Sequence, residues 1–132
     1  MNMNDFSKRN LARCEAGNGF NHKLGSWSLS DWMTATMGEL GEAANVAKKL
    51  NRVRDGITGN DKSEAELREM LKDEIADTAI YLDLMAQSQG FLLSDAVETK
   101  FAKTSEKIGY MEQNGSGCPH CGYRHPPDGG CV

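Results

Sequence analysis

The sequence predicts an all-α fold, a four-helix bundle followed by a short tail, and three observations carry that prediction. No proline falls in residues 1–118, because all three stand at Pro119, Pro126 and Pro127. Proline inside a helix removes a backbone hydrogen bond and clashes with the preceding turn, so a stretch free of it permits long helices. Residues 1–113 are dominated by Ala, Leu, Met, Glu and Lys, the good helix formers, and β-branched residues are sparse. Nowhere does apolar–polar alternation of period two flank a hairpin dipeptide, which is the signature a strand pair would leave.

The elements follow in order. A first helix is expected over Asp5 to Ala16, closing at Gly17, with a Gly- and Asn-rich loop from Gly17 to Ser26. Ser28 and Ser30 are both good N-caps for a second helix running to about Arg54, where Asp55-Gly56 stops it. Residues 57–62 read as a loop. Ser63 with Glu66 three residues later forms a capping box, and the third helix runs from there to Gln89, ended by Gly90. A shorter fourth helix covers about Ser94 to Lys107 and ends at Gly109. Near Asn114 the composition shifts abruptly to Gly, Pro, Cys and His, which divides the chain into a helical domain, 1–113, and a tail, 114–132.

Composition narrows the function classes. The chain has 132 residues, 39% hydrophobic and 26% charged, which suits one folded domain with a real core. Nineteen acidic residues against 15 basic ones give a net charge of −4, the wrong sign for a bulk nucleic-acid binder, and no stable nucleic-acid partner is expected. No apolar run approaches the roughly 18 residues of a membrane span. The stretch from Met1 to Arg9 is polar and lacks the apolar core of a secretory leader, so the expected compartment is the cytoplasm. No G-x4-G-K-[ST] run offers a phosphate-binding loop.

Two acidic pairs stand out against the helical pattern. In the second helix, Trp32, Ala35, Glu39, Glu42, Ala43, Val46 and Leu50 form one stripe with two glutamates in its middle. In the third, Leu67, Met70, Leu71, Ile75, Ala79, Leu82 and Met85 form an apolar face that Glu74, Asp77 and Tyr81 share or border. Residues at i and i+3 project side by side, so each helix offers a carboxylate couplet. Four like charges brought together on buried faces need a positive partner. Hard oxygen donors suit Mg²⁺, or Mn²⁺, and the lack of a Glu-x-x-His pattern argues against a di-iron bundle. The competing reading places these residues on solvated faces.

Gly38-Glu39-Leu40-Gly41-Glu42, Lys72-Asp73-Glu74-Ile75-Ala76-Asp77 and Ile80-Tyr81-Leu82-Asp83-Leu84 together resemble the MazG-like nucleotide pyrophosphohydrolases, an all-α group that includes dCTP pyrophosphatases and dimeric dUTPases. The likeness covers about residues 28–110 and extends to a Lys-rich fourth helix, where Thr104, Lys107 and Ile108 stand at positions that carry Asn, Arg and Tyr in many relatives. It implies hydrolysis of a nucleoside triphosphate to the monophosphate and pyrophosphate, with Glu39, Glu42, Glu74 and Asp77 as Mg²⁺ ligands and catalytic residues. In that chemistry the ions neutralise the phosphates and acidify a water, with Glu39 or Glu42 assisting. Lys48, Lys49 and Arg52, or Lys100, Lys103 and Lys107, would stabilise the pyrophosphate, Lys100 and Lys107 being preferred. Trp27, Trp32 and His22 stand where relatives stack the nucleobase; Trp32 is equally a core candidate, and Trp27 is expected to be exposed in its loop. Tyr81 would contact sugar or base, or pack in the core. The likeness also implies a homodimer or homotetramer, and charged stripes on two helices leave a 113-residue body unable to cover its own core.

The tail carries Cys118-x2-Cys121-x3-His125-x5-Cys131, with His120 as an alternative to His125. Cys-x2-Cys gives two thiolates to one tetrahedral ion, so the expectation is structural Zn²⁺. Cys14, on the first helix, reads as a small core residue. The alternative for the whole chain is a non-catalytic helical oligomer whose zinc tail binds protein or nucleic acid, to which the Tyr123-Arg124 pair lends slight support.

Overall fold

The computed structural model describes residues 1–111 and holds four α-helices, one 3₁₀ turn and, among the described residues, no strand. The zinc-ligand set Cys118, Cys121, His125 and Cys131 lies outside the described residues. Helix α1 spans Met3–Glu15, a 3₁₀ turn Leu24–Ser26, α2 Leu29–Arg54, α3 Glu64–Ser88 and α4 Leu93–Ile108. The chain divides into two compact units, Met1–Ala96 and Val97–Val132. Among the described residues no helix is long and apolar enough to cross a membrane.

The capping signals act as written in the sequence. Ser28, not Ser30, caps α2, because Asp31 at the third position returns a carboxylate to the Ser28 N–H while the Ser28 hydroxyl accepts from the Asp31 N–H. Ser63 and Glu66 do the same for α3. Helix α1 starts two residues earlier than expected, since Asn2 accepts from the Asp5 N–H and supplies a cap upstream. Gly90 takes a left-handed φ of +84° just past the end of α3, a conformation costly for any side chain.

Helices α2 and α3 pack along one another more extensively than any other pair, and α1 and the 3₁₀ turn pack on α3. Trp32 meets Tyr81, Glu39 meets Glu74 and Asp77, and Val46 shares a cavity wall with Met70. Positions therefore rise along α2 as they fall along α3, and the two helices are antiparallel. Within the first unit, Ser94 Oγ also donates to Asn4 Oδ1 at 2.7 Å.

The core differs from the predicted stripes on α3. Ile75 and Ala79 are exposed, while Asp83, Leu84 and Ala86 are buried. The helix turns its Leu67–Glu74–Tyr81–Leu84 side inward, because that rotation sets Tyr81 against Trp32 and Asp83 against α1. On α2 the stripe holds better, with Trp32, Thr36, Ala43 and Val46 buried and Glu42 exposed. Cys14 is buried as expected and packs with Trp32 and Leu84, and burial pushes its thiol pKa up.

A polar knot joins α1 to α3. Asp83 is fully buried; its carboxylate accepts from Ser7 Oγ, from Asn10 Nδ2 at 2.9 Å and from Gln87 Nε2 at 2.9 Å. Gln87 Nε2 also donates to Ser7 O at 3.0 Å, so the group is satisfied on every side. Asp83→Ala removes the acceptor of the buried Ser7 hydroxyl and one acceptor each from the Asn10 and Gln87 amides, and should cost about 3 kcal/mol or more. Ser63→Ala, which removes one exposed cap, should cost about 1 kcal/mol. Urea midpoints at unchanged slope measure both, and equal losses would refute the ranking.

Candidate functional site

Glu39 on α2 and Glu74 and Asp77 on α3 each place one carboxylate oxygen within 4.8 Å of the others. The antiparallel packing makes this inevitable once both couplets fall at the same height on the facing helices. Glu42, one turn beyond Glu39, stands outside that triplet but adds to the upward push on the Glu74 carboxyl. Glu39 and Glu74 are half-buried, Glu42 and Asp77 exposed, so the couplets sit at a rim rather than on fully buried faces.

Burial and crowding together raise the Glu39 and Glu74 carboxyl pKa values. The Glu74 carboxyl is pushed up to about 7, first by loss of solvent and then by hydrogen bonding and like charge from Glu42 and Glu39. Glu39 is raised as well, chiefly by burial, with a hydrogen bond from Glu74 acting in the opposite direction and the charges of Glu42 and Asp77 adding to the rise. Glu74 Oε2 is buried with no hydrogen-bond partner. A divalent cation fits this set: all donors are hard oxygens, no imidazole is among them, and one buried oxygen lacks a partner.

The carboxylates separate two cavities. One, of about 410 Å³, is walled by Phe20, His22, Trp27, Trp32 and Tyr81, with Glu39 and Asp77 at its edge. The rings of Trp27 and Trp32 lie 4.7 Å apart and steeply inclined, and His22 packs edge-on at 4.6 Å from Trp27 and 5.6 Å from Trp32. Trp27 is therefore half-buried in an aromatic cluster and not an exposed loop residue, because the 3₁₀ turn folds it back onto α3. Trp32 is both core and cavity wall; its Nε1 donates to Leu24 O at 3.2 Å. Tyr81 also serves both roles.

The loop that brings His22 here is tightly built. The His22 N–H donates to Cys14 O at 2.8 Å and Cys14 Sγ donates to His22 O at 3.2 Å. Asn21 adopts φ +52°, which Asn tolerates better than most residues. At Gly19 a Cβ would come within 2.1 Å of Arg13 O, so only glycine passes.

The second cavity, about 390 Å³, holds Glu42, Glu74, Asn45 and Lys49. Of the two adjacent lysines, Lys49 is half-buried beside the acidic residues and Lys48 is exposed outside this cavity. Arg52 is engaged elsewhere, donating to Thr58 O at 2.7 Å. Lys100 and Lys107 are exposed on α4, in the second unit. The sequence reading missed Asn10, Arg13, Phe20 and Asn45. Asn10 had a signal, since Ser7, Asn10 and Cys14 recur at helical spacing on α1 and so share a face.

The raised Glu74 carboxyl fixes a pH dependence. Its folded value of about 7 exceeds the ordinary 4.5, so the folded state holds the proton more tightly than the unfolded chain. The resulting stabilisation is complete below pH 4.5 and is lost as pH rises through about 7. In metal-free protein the melting temperature should fall across that window, and the Glu74→Gln variant should flatten the fall. Because a cation needs the ionised carboxylate, the rise in melting temperature on adding millimolar Mg²⁺ should be larger above that window than below it. A Mg²⁺ shift independent of pH would count against the site.

No protein-family model matches this chain, and neither does any curated protein or solved structure compared with it.

Proposed function

We propose that this protein is a Mg²⁺-dependent nucleoside triphosphate pyrophosphohydrolase, cleaving a ribo- or deoxyribonucleotide to the monophosphate and pyrophosphate. The observation that carries the reading is the position of the acidic residues between an aromatic cavity and one holding a lysine. A ligand with a planar ring at one end and a polyanion at the other fits that sequence of surfaces. The resemblance of the Glu39/Glu42 and Glu74/Asp77 couplets to the MazG-like pattern agrees with it.

In this reading Trp27, Trp32 and Tyr81 hold the base, and the four carboxylates hold the cations that pair with the phosphates. Mg²⁺ held by these residues would supply charge neutralisation for the phosphates and acidify a water. Glu39 or Glu42 would take a proton from the attacking water, and the bond from the α-phosphorus to its bridging oxygen would break as pyrophosphate leaves. Lys49 stabilises the charge gathering on the departing pyrophosphate. Lys48, Lys100 and Lys107 are the further phosphate-binding candidates.

The active form is proposed to be a homodimer or homotetramer. Leu29, Met33, Met37 and Leu40 are each about half exposed and recur along one side of α2, and Ile75 on α3 is exposed too. An uncovered apolar row of that length marks an interaction surface. Localisation in the cytoplasm and structural Zn²⁺ in the tail, held by Cys118, Cys121, His125 and Cys131, belong to the same proposal.

Pyrophosphate release from a panel of triphosphates with Mg²⁺ should be detectable. It should fall by about a hundredfold or more in Glu39→Gln or Asp77→Asn, both still folded by circular dichroism. Folded protein that releases pyrophosphate from no nucleotide would overturn the reading. Zinc content near one equivalent, lost in the Cys118→Ser/Cys121→Ser double variant, is expected for the tail, and a metal-free chain would refute that part.

A further inference from the structure

Asn10 is 4% exposed and forms part of the wall of the aromatic cavity. Its Nδ2 donates to Ile80 O at 3.0 Å and to Asp83 Oδ2 at 2.9 Å. These bonds use both amide hydrogens. They also fix the amide's orientation, because a backbone carbonyl has no hydrogen to give to an amide oxygen. No described residue donates to Asn10 Oδ1. The knot around Asp83, which also takes Ser7 and Gln87, thus leaves Asn10 Oδ1 without a donor among the described residues and outside the fully buried unpartnered atoms, on a residue that lines the cavity.

A second polar group at the same cavity also lacks a partner. His22 Nδ1 is buried without one, although its ring is fixed against Trp27 and Trp32. A buried polar atom without a partner, beside an accessible amide oxygen in an aromatic hollow, fits a ligand that completes both. Arg13, at the same cavity, is exposed and rests over the Phe20 ring at 5.3 Å, while the Trp27 indole and Tyr81 hydroxyl bring further donors to the wall.

An acceptor selects a donor. Cytosine, adenine and guanine carry an exocyclic amino group that projects beyond the ring. Uracil and thymine offer a single ring N–H between two carbonyl oxygens, and both oxygens repel an approaching acceptor. We propose that Asn10 is a specificity-determining residue whose amide oxygen accepts a hydrogen bond from the exocyclic amino group of the base, so that the site takes amino-bearing nucleotides over uracil and thymine nucleotides. This rests on the pyrophosphohydrolase reading and adds to it the class of base. Asp83, Ser7 and Gln87 act as positioning residues, holding the amide the right way round.

The test compares triphosphates that differ by the amino group alone: dCTP against its 2-pyrimidinone counterpart, dGTP against dITP, and dATP against the purine deoxynucleotide. Pyrophosphate release gives kcat/KM, and quenching of tryptophan fluorescence by non-hydrolysable α,β-imido analogues gives affinity without turnover. The expected result is that at least one amino-bearing member is favoured by about tenfold or more, in both readouts, and that Asn10→Ala brings that ratio near unity. Equal use of every pair by the wild-type protein overturns the inference even if the variant does not fold. So does a ratio unchanged in folded Asn10→Ala, or a preference for dUTP or dTTP. Those outcomes leave the pyrophosphohydrolase reading standing, whereas failure to bind or cleave any triphosphate removes both.

Discussion

The organisation of this protein depends on a repulsion. Two antiparallel helices bring Glu39 to Glu74 and Asp77, with Glu42 beside them, at a height where packing would ordinarily place aliphatic side chains. A carboxylate deprived of water and surrounded by its own kind either takes a proton or waits for a cation. Glu74 shows the first response in its raised pKa, and its unpartnered oxygen shows room for the second. Stability is given up at this height, and the capped ends of α2 and α3 and the buried contacts above and below must hold the helices together despite it.

That constraint also orders the surroundings. Aromatic side chains gather on the Glu39 and Asp77 side, and a lysine and an amide on the Glu42 and Glu74 side. The small apolar cluster around Trp32, Cys14 and Leu84 holds α1 and the 3₁₀ turn against α3, which closes the aromatic cavity. The same packing that stabilises this end of the fold therefore shapes the binding hollow.

Much of this was legible in the sequence, for identifiable reasons. Helix ends are set by local chemistry within one turn, so Ser28–Asp31 and Ser63–Glu66 announced themselves, and the acidic couplets were visible because polar residues interrupted an apolar period. What stayed hidden depends on helix rotation and on contacts distant in sequence. A face inferred from α3 alone put Ile75 and Ala79 inside, and only docking against Trp32 and Ser7 decides that Tyr81 and Asp83 turn inward instead. Trp27 misled for a related reason: a loop residue next to glycine and serine looks solvated until a short 3₁₀ turn folds it back. Asn10 and Asp83 are 73 positions apart, beyond the reach of any periodicity.

The knot around Asp83 bears on how such a pocket changes over evolutionary time. Three side chains and a backbone carbonyl agree on one orientation of one amide. Any single exchange among them strands a partner, so intermediates on a mutational path pass through a less stable ancestor. Rings that merely pack, such as Phe20, can drift freely by comparison. A lineage of this protein would be expected to diversify first in its aromatic walls and to hold the wiring beneath Asn10 fixed until two or more positions move together.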